Sequence, residues 1–347
     1  MRAQALFICA MISVASLAGC AQKDENQAEV VDQTVQNAGF NLGDMEREAA
    51  GPSYFLVTKE TSQEDRQSMR EIMLEFAVDF KNMFGMKPVP YTLVLYDTDD
   101  IHWFKDADKR MQPSTAWTFG FGSVAFFNKA FAAYYENASK ENGGAAFQYD
   151  YEAFKPIIKH ELTHFALYNT VYAGQKVPLD WSTSAPYGRG PIPDALDDGI
   201  ADYLTTEGHR KARRDAFAHY YKEGFEFLPL AELFKEENIW VNKKNKDEIE
   251  GIETEIPGFT QEQIARSGVL MYNQGLMVFE YILEKGGIDF FRFMIAGYRE
   301  YKDMDQILAE YGGKDDMPQS VAELDKQWWA EVRKTYGEPE PKAETKG

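Results

Sequence analysis

The chain has 347 residues, 44% hydrophobic and 14% aromatic, enough to bury a large core and too much for an intrinsically disordered polypeptide. Its 37 basic residues stand against 56 acidic ones, a formal net charge of −19 that repels phosphate backbones and excludes nucleic acid as an expected partner. The two cysteines, Cys9 and Cys20, are too few for a disulfide scaffold or a cysteine-built metal site.

The first element is an address rather than a part of the fold. Arg2 gives a positive start, residues 6–17 an apolar stretch too short to span a bilayer, and Ala18 and Gly19 a small-residue cut site. The run Leu17-Ala18-Gly19-Cys20 resembles a bacterial lipobox. That resemblance implies removal of residues 1–19, lipidation of Cys20 and a place in the cell envelope, on the outer membrane in a two-membrane bacterium. Residues 20–50 are polar and poor in large apolar side chains, and are expected to be a flexible tether.

The folded part is expected over 51–336. Residues 53–58 (SYFLVT) read as a strand, and Thr61 or Ser62 caps a helix running to about Met83 with Gly85 as its stop. Residues 91–96 (YTLVLY) form a second strand, and 115–128 are strand-like, with a hairpin turn near Gly120-Phe121-Gly122. From about Asp150 the pattern is helical, with helices at 151–171, 195–207, 264–285, 288–297, 304–311 and 320–336. The pairs Gly286-Gly287 and Gly312-Gly313 act as helix stops, residues 174–193 form a Gly/Pro/Ser-rich loop, and 337–347 a charged tail. The expected class is α+β: a mixed N-terminal lobe with a small sheet (51–171) and a mainly helical C-terminal lobe (172–336).

The chemistry is concentrated in His160-Glu161-Leu162-Thr163-His164, an H-E-x-x-H. On a helix, positions i and i+4 lie about 40° apart, so both imidazoles face one point and can share a zinc ion at about 2.0–2.1 Å. Glu161 sits one residue round the helix, placed to take a proton from water acidified by the metal. The surrounding segment is apolar nearly all round, with Phe154, Ile157, Ile158, Leu162, Phe165, Leu167 and Val171, so the helix is buried. Buried histidines need partners, and a cation meets that need.

A third ligand is expected from Ala195-Leu196-Asp197-Asp198-Gly199-Ile200-Ala201-Asp202-Tyr203. The helix motif and this segment together resemble the gluzincin branch of zincin metallopeptidases, in which a second helix carries E-G-x-A or E-A-x-x-D. The resemblance implies Asp198 as metal ligand, with aspartate in place of glutamate, and Asp202 as the group that orients a zinc histidine. Asp197 and Glu207 are reserve ligands. The plain alternative is an acidic helix start capped by Asp194, with Asp198 and Asp202 facing solvent opposite the stripe of Leu196, Ile200, Tyr203 and Leu204.

Downstream, Tyr272-Asn273-Gln274-Gly275 opens a helix. In gluzincins a tyrosine at a comparable point donates to the developing oxyanion, so Tyr272 is either that donor or a core residue. His209 and His219 lie among Arg210, Lys211, Arg213 and Arg214 and read as surface residues, and His102 shows no partner. The overall plan is similar to a peptidase-MA-like domain over about 53–336. That resemblance implies a zinc cleft between the lobes, bordered by the strand of 115–128, and hydrolysis of peptide or protein substrates. The rival is a non-catalytic zincin-fold lipoprotein that binds peptide or envelope partners.

Overall fold

The computed structural model describes residues 42–96, 124–128, 155–167, 170, 191–238 and 261–339. The leader, Cys20, His102, residues 115–123, the loop of 174–190 and the tail beyond Pro339 fall outside these residues. The architecture is mixed α+β and mostly helical, as expected. No helix among the described residues is long and apolar enough to cross a membrane.

Part of the stretch expected to be tether is folded. A 3-10 turn at Leu42–Asp44 leads into β1, Met45–Ala50, inside the stretch expected to be tether. MEREAA has poor β propensity, and it is tertiary pairing that makes it a strand. It runs antiparallel to β2, Ser53–Thr58, and its Glu46 and Glu48 bind Arg66 at 2.6 and 2.8 Å, with Arg70 also on Glu48. Arg66 is 4% exposed and further donates to the carbonyls of Thr58 and Thr61.

Helix α1, Gln63–Phe84, starts where expected: the Ser62 hydroxyl accepts from Asp65 N–H, and Gly85 closes the helix at φ 74°. A left-handed residue is needed there, which suits glycine. Met69, Ile72, Met73, Phe76, Phe80 and Phe84 form its buried face. The chain then crosses to β3, Thr92–Tyr96, parallel to β2, and β4, Val124–Asn128, adds parallel to β3. The sheet order is β1-β2-β3-β4. Residues 124–128 of the expected 115–128 strand lie among the described residues and pair with β3; the expected hairpin turn near Gly120-Phe121-Gly122 lies outside them.

The helical half follows as α2 (Lys155–Ala166), α3 (Asp194–Tyr203), α4 (Glu207–Lys222) and the single turn α5 (Leu230–Leu233). Next, α6 (Gln261–Gly268), a π-helical segment (Val269–Gln274) and α7 (Gly275–Arg299) follow without interruption. Tyr272 therefore lies within a long helix instead of opening one. Gly287 (φ 62°, ψ −171°) is non-helical and divides α7 into two helices that meet at a kink, so the pair at 286–287 interrupts the helix where a stop was expected. Helices α8 (Met304–Tyr311) and α9 (Val321–Tyr336) match the expected spans within a residue. Asp303 builds a capping box for α8, Gly312 closes it, and Ser320 caps α9. Helix α3 lies between α2 and α7, and that sandwich positions the site.

Candidate metal centre

Helix α2 is fixed in rotation by apolar and ionic contacts together. Ile158 is fully buried, and Leu162, Phe165 and Ala166 are nearly so. Lys159, 1% exposed, reaches back to α1 with its ammonium 2.5 Å from Asp79 and 3.3 Å from Glu75. A lysine this deep is tolerated only when paired. The same rotation turns His160 and His164 toward α3.

Helix α3 begins after Pro193 and presents four aspartates, Asp194, Asp197, Asp198 and Asp202, all buried. The solvent-facing acidic edge that the sequence allowed does not form. Asp194 is the first helical residue rather than the cap, and its carboxylate accepts the backbone N–H of Asn238 at 2.8 Å. Burial pushes the Asp194 carboxyl up to about 7, against the stabilising N–H of Asn238.

Each imidazole has its own carboxylate. Asp202 Oδ1 lies 2.7 Å from His160 Nδ1, and Asp197 Oδ1 lies 2.9 Å from His164 Nδ1. A carboxylate can only accept, so each Nδ1 carries the proton and each Nε2 turns its lone pair to the space between the rings. Those two Nε2 atoms are 3.1 Å apart. Lone pairs at that distance repel unless a proton or a metal ion lies between them. Without a metal, a proton serves: burial opposes a charged His164, but Asp197 and Asp198 outweigh it and hold its pKa well above the usual value.

Asp198, 1% exposed, completes the cluster, with Oδ1 3.5 Å from His164 Nε2 and 3.7 Å from His160 Nε2. His160, His164 and Asp198 are the set among the described residues whose ligand atoms converge closely enough to hold a metal ion. The point in their plane that is equidistant from these three atoms lies about 2.0 Å from each, so one ion can reach all three.

Asp202 has further partners that sequence reasoning missed. His209 Nε2 is 3.0 Å from Oδ1, and Arg213 Nε is 2.9 Å from Oδ2, both from α4. His209 is 7% exposed, so the expectation of a surface histidine fails there, whereas His219 is exposed as expected. Burial works against an ionised Asp202, but Arg213, His209 and His160 outweigh it and hold the carboxyl well below the usual range.

The reserve ligands are placed elsewhere. Asp197 is the hydrogen-bond partner of His164, and Glu207 lies exposed on the surface, paired with Arg210 and Arg214. Glu161 is partly buried; burial pushes its carboxyl pKa up, while His160 and His164 pull it down. Tyr272, also partly buried, comes from the π-helical segment, its ring centroid 6.0 Å from that of His160 and the Arg213 guanidinium 4.8 Å above it. Extra turns of this kind recur at functional sites in helices.

The close approach of α3 to α7 depends on two glycines. A Cβ on Gly275 would lie 2.1 Å from the Ala195 carbonyl oxygen, and one on Gly199 would lie 2.5 Å from the Gly275 carbonyl oxygen. Both positions thus exclude any side chain. No protein-family model matches this chain, and neither does any curated protein.

Proposed function

We propose that this chain is a zinc metallopeptidase with a zincin-type fold, held at the bacterial cell envelope by a lipid on Cys20. The observation that carries the reading is the convergence of His160, His164 and Asp198, their ligand atoms 3.1, 3.5 and 3.7 Å apart, with Glu161 next to His160 in the chain. A binding module needs no carboxyl at position 161, which favours the enzyme over a non-catalytic relative. The choice of peptide as substrate rests on the gluzincin-like arrangement of the two helix motifs.

His160, His164 and Asp198 would hold the zinc, which supplies Lewis acidity and acidifies water at neutral pH. Asp202 and Asp197 keep both imidazoles in the ligating tautomer. Glu161 takes a proton from water on its carboxylate and returns it to the departing amine. A carboxyl with a pKa raised by burial is suited to both halves of that exchange. Tyr272 donates its hydroxyl to the oxygen that gains charge, and the stacked Arg213 fixes the ring.

Metal analysis of the purified protein beside His160→Ala, followed by digestion of a degenerate peptide library, tests the proposal. The expected result is about one zinc per chain, lost in the variant. Glu161→Gln should keep its zinc and lose cleavage by about 10²–10⁴-fold. Full zinc occupancy in the His160→Ala/His164→Ala double variant removes the site. Undiminished cleavage by Glu161→Gln removes the base.

A further inference from the structure

Asn238 lies 40 residues from Asp198 in sequence, beyond α5 and outside both helix motifs, yet it is 1% exposed against the same cluster. Its backbone N–H is fixed on Asp194 Oδ2 at 2.8 Å. Its side-chain amide donates to Asp198 Oδ2 at 3.1 Å. An ionised carboxylate offers only acceptors, so the amide must present its NH2 group there. Asp198 is thereby divided, with Oδ2 on Asn238 and Oδ1 toward the two imidazoles.

Resting on the metal-site reading above, we infer that Asn238 is a positioning residue that limits Asp198 to one-oxygen ligation. A carboxylate that turned both oxygens to the metal would fill a further coordination position, and a hydrolytic site needs that position for water and substrate. The amide hydrogen bond holds Oδ2 away and sets the plane of the carboxylate, as outer hydrogen bonds do for metal ligands generally. The backbone bond to Asp194 anchors the segment independently, so the side chain can be changed without releasing the loop.

The test is metal binding by full-length Asn238→Ala and Asn238→Asp beside the parent and Asp198→Ala. Zinc affinity is read by chelator competition, cobalt(II) coordination by visible absorption, and fold by thermal melting of the metal-free proteins. Asn238→Ala should bind zinc about 10-fold more weakly. Its cobalt(II) bands should lose intensity, as expected when a four-coordinate ion becomes five-coordinate, while the metal-free melting temperature stays near that of the parent. Asn238→Asp keeps the size of the side chain and loses the donor, so it should show at least as large a loss of affinity even if the alanine variant does not fold. Parent-like affinity and cobalt(II) spectra in both variants would overturn the role of Asn238 while leaving the metal site intact. Equal metal binding by the parent and Asp198→Ala would overturn the site itself and Asn238's role with it.

Discussion

The α7–α9 half and the α2–α3 seam are both buried, but the seam adds a cluster of carboxylates and imidazoles to its apolar contacts. In the former, Phe279, Phe290, Phe291 and Leu324 are fully buried and Trp328 is 1% exposed, with rings packed edge to face, as in Phe290–Tyr311 at 4.9 Å. Across the seam, four aspartates and two histidines, with His209 and Lys159 behind them, are packed in beside apolar residues such as Ile158, Leu162, Leu196 and Ile200. Apolar contacts need no particular partner, and each adds to stability. Buried charges cost several kcal/mol each unless they are matched, so a seam built from them is a poor choice for stability alone. On the proposed reading, the difference separates what folds the molecule from what would hold its metal.

Substitutions can break that division, and the largest effect belongs to the apolar half. Trp328→Ala should cost about 3–5 kcal/mol in urea unfolding and leave zinc affinity per folded molecule unchanged. If affinity fell in parallel, the two regions would not be separable. Gly275→Ala strikes both at once. Its methyl group would collide with the Ala195 carbonyl, so stability should fall by about 3 kcal/mol and zinc retention should drop as α3 shifts.

Next in size is a pH effect confined to the seam. Asp194 holds its proton up to about 7 when folded, against 3.8 for the ordinary carboxyl. Between those values the folded chain binds more proton than the unfolded one, so metal-free stability falls as pH rises. The slope is about 1.4 kcal/mol per unit, a loss of about 2–3 kcal/mol from pH 5 to pH 7. Asp194→Asn keeps an acceptor for Asn238 and should flatten this slope, which denaturant melts at the two pH values would check. The smallest effect is expected at Glu207. Its pairs with Arg210 and Arg214 are exposed, so Glu207→Gln should change stability by no more than about 1 kcal/mol and leave zinc content untouched.

What could be read from the sequence was local. The H-E-x-x-H turn, the paired aspartates at a helical spacing and the cap at Thr61 or Ser62 are all set by neighbours within four residues. What escaped was brought together only by folding. His209 and Arg213 reach Asp202 from a different helix, and Asn238 reaches Asp198 from a segment 40 residues on, so no short spacing announces them. Strand β1 escaped for a related reason. Its charges read as solvated tether until Arg66 and Arg70 supply the partners. The π-helical stretch gives no signal in a single sequence, because Val269–Gln274 would fit an ordinary turn equally well.

The paired glycines between α3 and α7 bear on how accurately the ligands can be machined. Helices usually meet through side chains, and their spacing drifts with every rotamer and every neighbouring substitution. At Gly199 and Gly275 the two helices meet peptide against peptide, so the separation is set by covalent dimensions. Asp198, the residue beside Gly199, is thus referenced to the backbone of α7 on the N-terminal side of its kink. A short aspartate arm has little reach with which to correct an error in helix placement. A backbone gauge of this kind makes such correction unnecessary.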